Sequence, residues 1–185
     1  MNAAGIRDLA VAALKGKTDA GDRVFSPRDW PTFSGDYPAI LIQTHADEKR
    51  SLGRNTPQFN TTTTLRITAR LDAFDSEDEA NGATKAELAL EKIEDQIVRA
   101  LINSYELTRL TQQYSSVTSQ VDVNSEGSGH IGQLLMLVAI EYFQGPADFY
   151  PVKINELQGI DVTVKMPDGN VQPEFSIEFP NNTQE

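Results

Sequence analysis

His45, Asp47 and Glu48 are the residues whose types come closest to a metal-binding cluster, with His130 as a candidate fourth ligand. Imidazole and carboxylate groups bind a metal ion only when they converge on one point. His45 and Asp47 fall where a predicted strand gives way to a charged segment, and nothing in the spacing brings His130 to them. A solvated polar edge is therefore the favoured interpretation, and the sequence predicts no metal ligand.

The glycine-rich stretch at residues 127–132, GSGHIG, superficially resembles a phosphate-binding loop. Such a loop needs a helix directly after it, because the amides at the helix N-terminus bind the anion. The residues that follow predict an apolar strand instead. The pattern therefore favours a turn between two antiparallel strands.

Four carboxylates on one predicted helix could act in acid–base chemistry: Glu87, Glu91, Glu94 and Asp95. Their stripe lies beside the apolar stripe of that helix and has lysines mixed into it, which is typical of a solvated helix face. The chain has no cysteine, and it contains no Ser-His-Asp order, HExxH motif or Walker motif. We therefore predict no catalytic residue, no cofactor and no enzyme activity.

The composition is that of a soluble globular protein. The chain has 185 residues, 39% of them hydrophobic and 23% charged, which is enough to build a core. Its longest apolar run, residues 134–140, is too short to cross a membrane, and the N-terminus does not resemble a signal peptide. The formal net charge of −11 disfavours a nucleic-acid binder, which is expected to carry a basic surface.

The apolar spacing predicts the order of the elements. Residues 6–14 predict a helix that ends near Gly16, and a short extended piece is expected at Val24–Phe25. Strict alternation over residues 59–74 predicts a strand with one buried and one exposed face, paired in a long hairpin with a strand that begins at Ala39. Further elements are predicted as an acidic cap at residues 75–81, a long helix at 86–101, and strands near 117–123, 133–143, 160–164 and 175–179.

The sum of these elements predicts an α+β fold, a mostly antiparallel mixed sheet with two helices packed on one face. Residues 1–145 are expected to form this domain, and residues 146–185 to add C-terminal strands and a tail to the same domain. The predicted core contains Ile6, Leu9, Leu14, Ile40, Ile42, Leu65, Ile67, Leu71, Leu90, Ile93, Ile97, Leu135, Leu137 and Ala139.

Two charged sets stand out as candidate contact residues. The first lies in residues 46–58, which read as a charged loop at a mobile hairpin tip: Asp47, Glu48, Lys49, Arg50 and Arg54. We expect this loop to contact a neighbouring subunit or a second protein of the same assembly. The second set is Arg66 and Arg70, on the exposed face of the alternating strand. They could bind phosphate or pair across the sheet, but a face rich in threonine and arginine suits a polar subunit interface.

Four segments, taken in order, resemble the tail terminator proteins of long-tailed bacteriophages, of the lambda-type and Mu-like kind. They are GIRDLAVAALK at residues 5–15, VFSPRDWP at 24–31, YPAILIQT at 37–44 and LQGIDVTVKM at 157–166. The resemblance spans roughly residues 5–166 and rests on the order and spacing of the segments. The segment after Pro167 has no counterpart in it.

The resemblance implies a structural virion protein without catalytic residues, assembled in the host cytoplasm. It implies a homo-hexameric ring that caps the head-proximal end of the tail tube, ends tube growth and offers a docking surface to the neck or head–tail connector protein. Genomic DNA would pass through the bore without specific binding, and no membrane is involved. Two alternatives stay open, namely a neck or head–tail joining protein and, from another class, a small-molecule enzyme or binding domain.

Overall fold

The computed structural model describes residues 1–27, 36–54, 57–74, 81–126, 129–150, 159–167 and 171–178. Its elements, in chain order, are α1 (Ala3–Leu14), β1 (Val24–Phe25), β2 (Ala39–Ser51), β3 (Phe59–Phe74), α2 (Gly82–Ile102), α3 (Tyr105–Thr108), β4 (Gln113–Glu126), β5 (Gly129–Gln144), α4 (Pro146–Phe149), β6 (Gly159–Lys165) and β7 (Val171–Glu178). The acidic cap expected at residues 75–81 lies outside the described residues except for Asn81, which precedes α2.

The main sheet has five strands in the order β1-β2-β3-β5-β4. Strand β1 pairs with β2 in parallel, and the other neighbours are antiparallel, so the sheet is mixed but mostly antiparallel. The long hairpin of β2 and β3 is confirmed by antiparallel pairing from Ala39↔Arg70 to Ser51↔Phe59, with one register shift between Thr44 and Ala46. Since the strands are connected mainly as hairpins and the long helices pack together on the sheet, the predicted α+β class is confirmed.

Helices α1 and α2 cover one face of this sheet, which we call the inner face. Helix α1 begins with a cap in which the Asn2 side chain accepts a hydrogen bond from the amide of Gly5 at 2.9 Å. It ends before Gly16, whose φ of +67° suits glycine, as the sequence predicted. The apolar stripe of α2 is also confirmed, because its fully or almost fully buried residues are Gly82, Ala86, Leu90, Ile93, Ile97 and Leu101.

The core lies between these helices and the inner face. Ile42 pairs with Ile67 and Ile67 with Met136, and all three side chains are fully buried. The inner face of β5 is therefore made by Leu134, Met136, Val138 and Ile140. The predicted core was wrong at Leu135 and Leu137, which are only partly buried on the outer face. Because β5 is apolar on both faces, its alternation could not show which side points to the helices.

Two other predicted core residues differ from their assignment in detail. Leu9 is partly buried and packs against the margin of the core. Ala139 is buried at 7% exposure, but the register places it beside Thr64, on the outer face. The remaining predicted core residues lie in the buried cluster.

The charged segment that follows Thr44 continues β2 and is not the loop that the sequence predicted. Residues 46–51 pair one by one with 64–59 of β3, so that Asp47, Glu48, Lys49 and Arg50 stand on a strand. The six pairing partners are four successive threonines, Asn60 and Phe59, and β-branched threonine favours extended backbone. Charged side chains on an edge strand are compatible with a sheet, because one side of the edge faces solvent.

The chain divides into two compact units, Met1–Phe149 and Tyr150–Glu185. In the second unit β6 and β7 form a two-stranded antiparallel sheet, in which Ile160 pairs with Ile177. Both strands expected in this region are therefore present. The expectation that residues 146–185 belong to the first domain stays a prediction. No helix in the described part of the chain is long and apolar enough to cross a membrane.

Candidate interaction surface

The outer face of the main sheet carries the two arginines singled out from the sequence. Arg66 and Arg70 are both partly buried and lie four residues apart on β3, which is about 13 Å along a strand. The face between them is not freely exposed, because Thr68 is only 8% and Leu41 only 5% accessible. The two guanidinium groups therefore belong to a face that mixes polar and apolar side chains.

Each arginine contacts a different neighbouring strand. Arg66 contacts His45 of β2, with 2.9 Å between Nη2 and Nδ1, and Arg70 donates from Nε to Oε1 of Gln133 of β5, also at 2.9 Å. Because a guanidinium group can only donate, Nδ1 of His45 is the acceptor in this contact. The two arginines, predicted as one set, thus occupy two separate environments.

His45 occupies a break in the register of β2, between Thr44↔Leu65 and Ala46↔Thr64. A bulge of this kind inserts one unpaired residue and changes the direction of the strand. A second break in register occurs in β4, between Tyr114 and Ser116. Ser116 pairs with Ala139 of β5, and Ala139 pairs with Thr64 of β3. Strands β2 and β4 therefore both bulge beside the row of Thr64, and the charged residues of β2 begin beyond this row.

Beyond this row, β2 and the start of β3 form a charged hairpin arm, residues 46–64. Its charges pair along the strand: Lys49 with Asp47 on one face, and Arg50 with Glu48, 3.1 Å apart, on the other. Arg54 lies past the end of β2, is exposed, and has no hydrogen bond or ion pair with any described residue. Four of the five predicted contact residues are thus internally paired, which leaves Arg54 as the charge most available to a partner.

A buried polar layer anchors the inner side of the arm. Thr61 and Thr63 are fully buried, and their hydroxyls donate to Gln144 at 2.7 Å and to Asp47 at 2.6 Å. The Tyr142 hydroxyl lies 3.2 Å from that of Thr63, and burial raises the pKa of its phenol. Every group in this layer has a partner, so the arm is attached to the domain by satisfied hydrogen bonds.

The candidate metal and phosphate sites do not come together among the described residues. His45 lies next to the row of Leu65 and His130 pairs with Ala73, and these rows are about 26 Å apart along β3. The described residues contain no group of three histidine, aspartate or glutamate side chains that could hold a metal. Strand β5 begins at Gly129, so no helix N-terminus follows the glycine-rich segment, of which 127 and 128 lie outside the described residues.

The carboxylates of α2 are spread over separate contacts. Glu94 accepts from Ser119 of β4 at 2.6 Å, and Asp95 pairs with Arg99 at 2.8 Å. Glu87 and Glu91 are exposed and have no hydrogen bond or ion pair with the described part of the chain. This division agrees with a solvated helix face and leaves two neighbouring carboxylates open to an external partner.

A cavity at the edge of β2 was missed by the sequence analysis. We call it the β2 notch; its volume is about 420 Å³ and its lining residues are Arg7, Pro27, Gln43, Thr44, His45 and Arg66. Arg7 stands on the flank of α1, between the apolar positions Ile6 and Leu9. In the sequence, Arg7 appears only as a basic residue beside the apolar stripe of α1. That pattern does not indicate that α1 lies across the edge of β2.

Comparison of the sequence with models of protein families and with curated proteins finds no match.

Proposed function

We propose that this chain is a structural virion protein that forms a ring at the head-proximal end of a phage tail tube. The ring would end tube growth and offer a docking surface to the neck. The proposal starts from the resemblance of four ordered segments to tail terminators. The described elements follow the order that the sequence predicted, with a first helix, a short extended piece, a charged hairpin, a long helix and a second hairpin.

The observation that carries the proposal is the pair of open sheet edges. Strand β4 is the last strand on one side. On the other side β1 covers β2 only at Ile40 and Leu41, and no described strand pairs with the rest of that edge. Open edges present unpaired amide and carbonyl groups that favour association with another chain. When two different edges of one protomer meet, the contact is heterologous and can repeat until a ring closes.

The net charge of the chain favours a ring that lets DNA pass. Six copies with a formal net charge of −11 each carry about −66, which repels a phosphate backbone. A bore lined by many lysines and arginines would hold DNA through counterion release. We therefore propose a bore that is acidic or neutral overall.

The test is the mass and shape of the purified full chain. Light scattering after size exclusion, followed by negative-stain imaging, should find rings of about six subunits with a central bore. Addition of the rings to tail tubes should cap one end and stop further growth. A chain that stays monomeric at every concentration and leaves tube growth unchanged would refute the proposal. Rings that bind a connector but not a tube would favour a neck protein instead.

A further inference from the structure

We propose that the β2 notch binds a carboxylate carried by a second copy of this chain, and that Glu87 and Glu91 of α2 supply it. The inference rests on the proposed ring and names the contact between its subunits. It starts from polar groups on two parts of the surface that lack partners within one copy.

The notch holds hydrogen-bonding groups without partners. Arg7 reaches it from α1 and Arg66 from the outer face of β3. The Nε atom of each guanidinium group is buried and has no hydrogen-bond partner among the described residues, and the same holds for the hydroxyl of Thr44. Buried donors without acceptors are unfavourable, so these atoms mark the notch as a place that lacks hydrogen-bond acceptors.

The contacts that the arginines do make leave part of each guanidinium group available. Arg66 uses Nη2 to bind His45 at 2.9 Å, and Arg7 uses Nη2 to bind Asp8 at 3.2 Å. A guanidinium group has five N–H donors. A carboxylate has two oxygens that match such a fork in a bidentate, charge-assisted pair. The chemistry of the notch therefore selects a planar anion.

The notch lies at a part of the β2 edge that no described strand covers. Strand β1 ends at Phe25, beside Leu41, and no described strand flanks β2 at Gln43 or His45. A partner that approaches this edge therefore meets both arginines, one on each side of the sheet.

Glu87 and Glu91 of α2 carry the negative charge that complements the two arginines of the notch. They are one turn apart on α2, both are exposed, and neither has a partner among the described residues. Helix α2 packs on β3, β5 and β4, whereas the notch lies at β2, toward the opposite side of the sheet. A contact that joins these two places is heterologous, as a closed ring requires.

A carboxylate of a second copy is favoured over a phosphate of DNA because the proposed ring holds its subunits in fixed contact, whereas DNA would pass through the bore without binding. With 27 acidic and 16 basic residues, the protein as a whole repels a nucleic-acid backbone. Each further copy of the protein also brings its own exposed Glu87 and Glu91 carboxylates to the contact.

The test is a charge exchange in the full chain, with assembly followed by light scattering and negative-stain imaging. Arg66→Glu and Glu91→Arg should each weaken assembly at least about tenfold and leave folded monomers. The double variant, which restores opposite charges across the contact, should form rings again. Arg109→Glu is the matched control, because Arg109 is exposed and pairs with Glu106 within α3 and its C-terminal cap, and it should assemble normally. Near-ultraviolet circular dichroism checks folding, and Arg66→Gln provides a milder variant if Arg66→Glu does not fold.

Each other outcome overturns the inference in a recognisable way. Rings that persist in both single variants would refute the notch contact and leave the proposed ring intact. A wild-type chain that is monomeric at every concentration would refute the ring as well. Calorimetric binding of inorganic phosphate that depends on Arg66, with assembly unchanged, would assign the notch to free anions. Duplex DNA binding that depends on Arg66 would assign it to nucleic acid.

Discussion

Gly132 leaves no room for a side chain between β5 and α2, and Gly132→Ala tests whether this packing is as close as the structure indicates. A Cβ atom at Gly132 would lie 2.9 Å from Cδ1 of Leu90 and 3.4 Å from both Cβ of Ala86 and Cδ1 of Leu71. Carbon atoms in a core are normally about 3.5–4.0 Å apart. Leu90 and Ala86 are fully buried, so the Leu90 methyl group can move only by displacing other core atoms.

The expected cost follows from two opposing effects. Inserting a methyl group into a well-packed core costs about 1–3 kcal/mol. Replacing glycine by alanine also restricts the unfolded chain, which returns about 0.4–1 kcal/mol. The free energy of unfolding should therefore fall by about 1–2 kcal/mol in Gly132→Ala, as measured by urea denaturation.

A control and a double-mutant cycle make this prediction specific. Gly53→Ala is the control, because a Cβ atom there would meet nothing within 4 Å, and its stability should be close to that of the wild type. In a Leu90→Ala background the clashing methyl group is absent, so Gly132→Ala should be neutral or stabilising. An equal loss of stability from Gly132→Ala in both backgrounds would refute the close contact between position 132 and Leu90.

Four further predictions concern stability, pH, the arm and DNA. Ile93→Asp, at a position with 1% exposure, should lower the free energy of unfolding by about 3–5 kcal/mol in urea denaturation; unchanged melting would contradict the buried stripe of α2. The hydrogen bond from the Lys92 ammonium, and then that from Gln96, lowers the pKa of Asp19. The stability that Asp19 adds is thus present above its ordinary pKa and is lost as pH falls through the folded value, so the difference in urea midpoint between wild type and Asp19→Asn should be larger near pH 5 than near pH 3. Replacing residues 52–58 by a two-residue turn should preserve folding and impair tail completion, and normal-length, head-competent tails would exclude a contact role for the arm tip. Fluorescence anisotropy should detect no appreciable duplex DNA binding at physiological salt, and tight, salt-sensitive binding would refute the proposed bore.

The parts of the fold with a single buried face could be predicted from the sequence. Apolar residues recur every three or four positions in α2 and every second position in β3. This periodicity alone assigns the type of each element and the face that it buries. Strand β5 is the opposite case. It has neighbours on both sides and apolar residues on both faces, so only the pairing of Ile67 with Met136 shows which side meets the helices. Periodicity contains no information about such long-range pairing.

The charged arm illustrates a second limit. A run of acidic and basic residues after Thr44 reads as a loop, because charged residues lower the strand propensity of an isolated segment. Its strand structure depends on a partner, the threonine-rich start of β3, and it begins after the bulge at His45. Both features involve residues distant in the chain or a local irregularity, and a single-segment pattern detects neither.

The two arginines show the same limit at the level of function. Their spacing on β3 predicts one polar surface, yet Arg66 is directed to the bulge of β2 and Arg70 to Gln133 of β5. Only Arg66 lines the β2 notch, where Arg7 of α1 joins it. The proposed subunit contact therefore depends on residues from a helix and from two strands. Periodicity could identify Arg66 as a candidate, but Arg7 could be found only once the packing of α1 against the sheet was known.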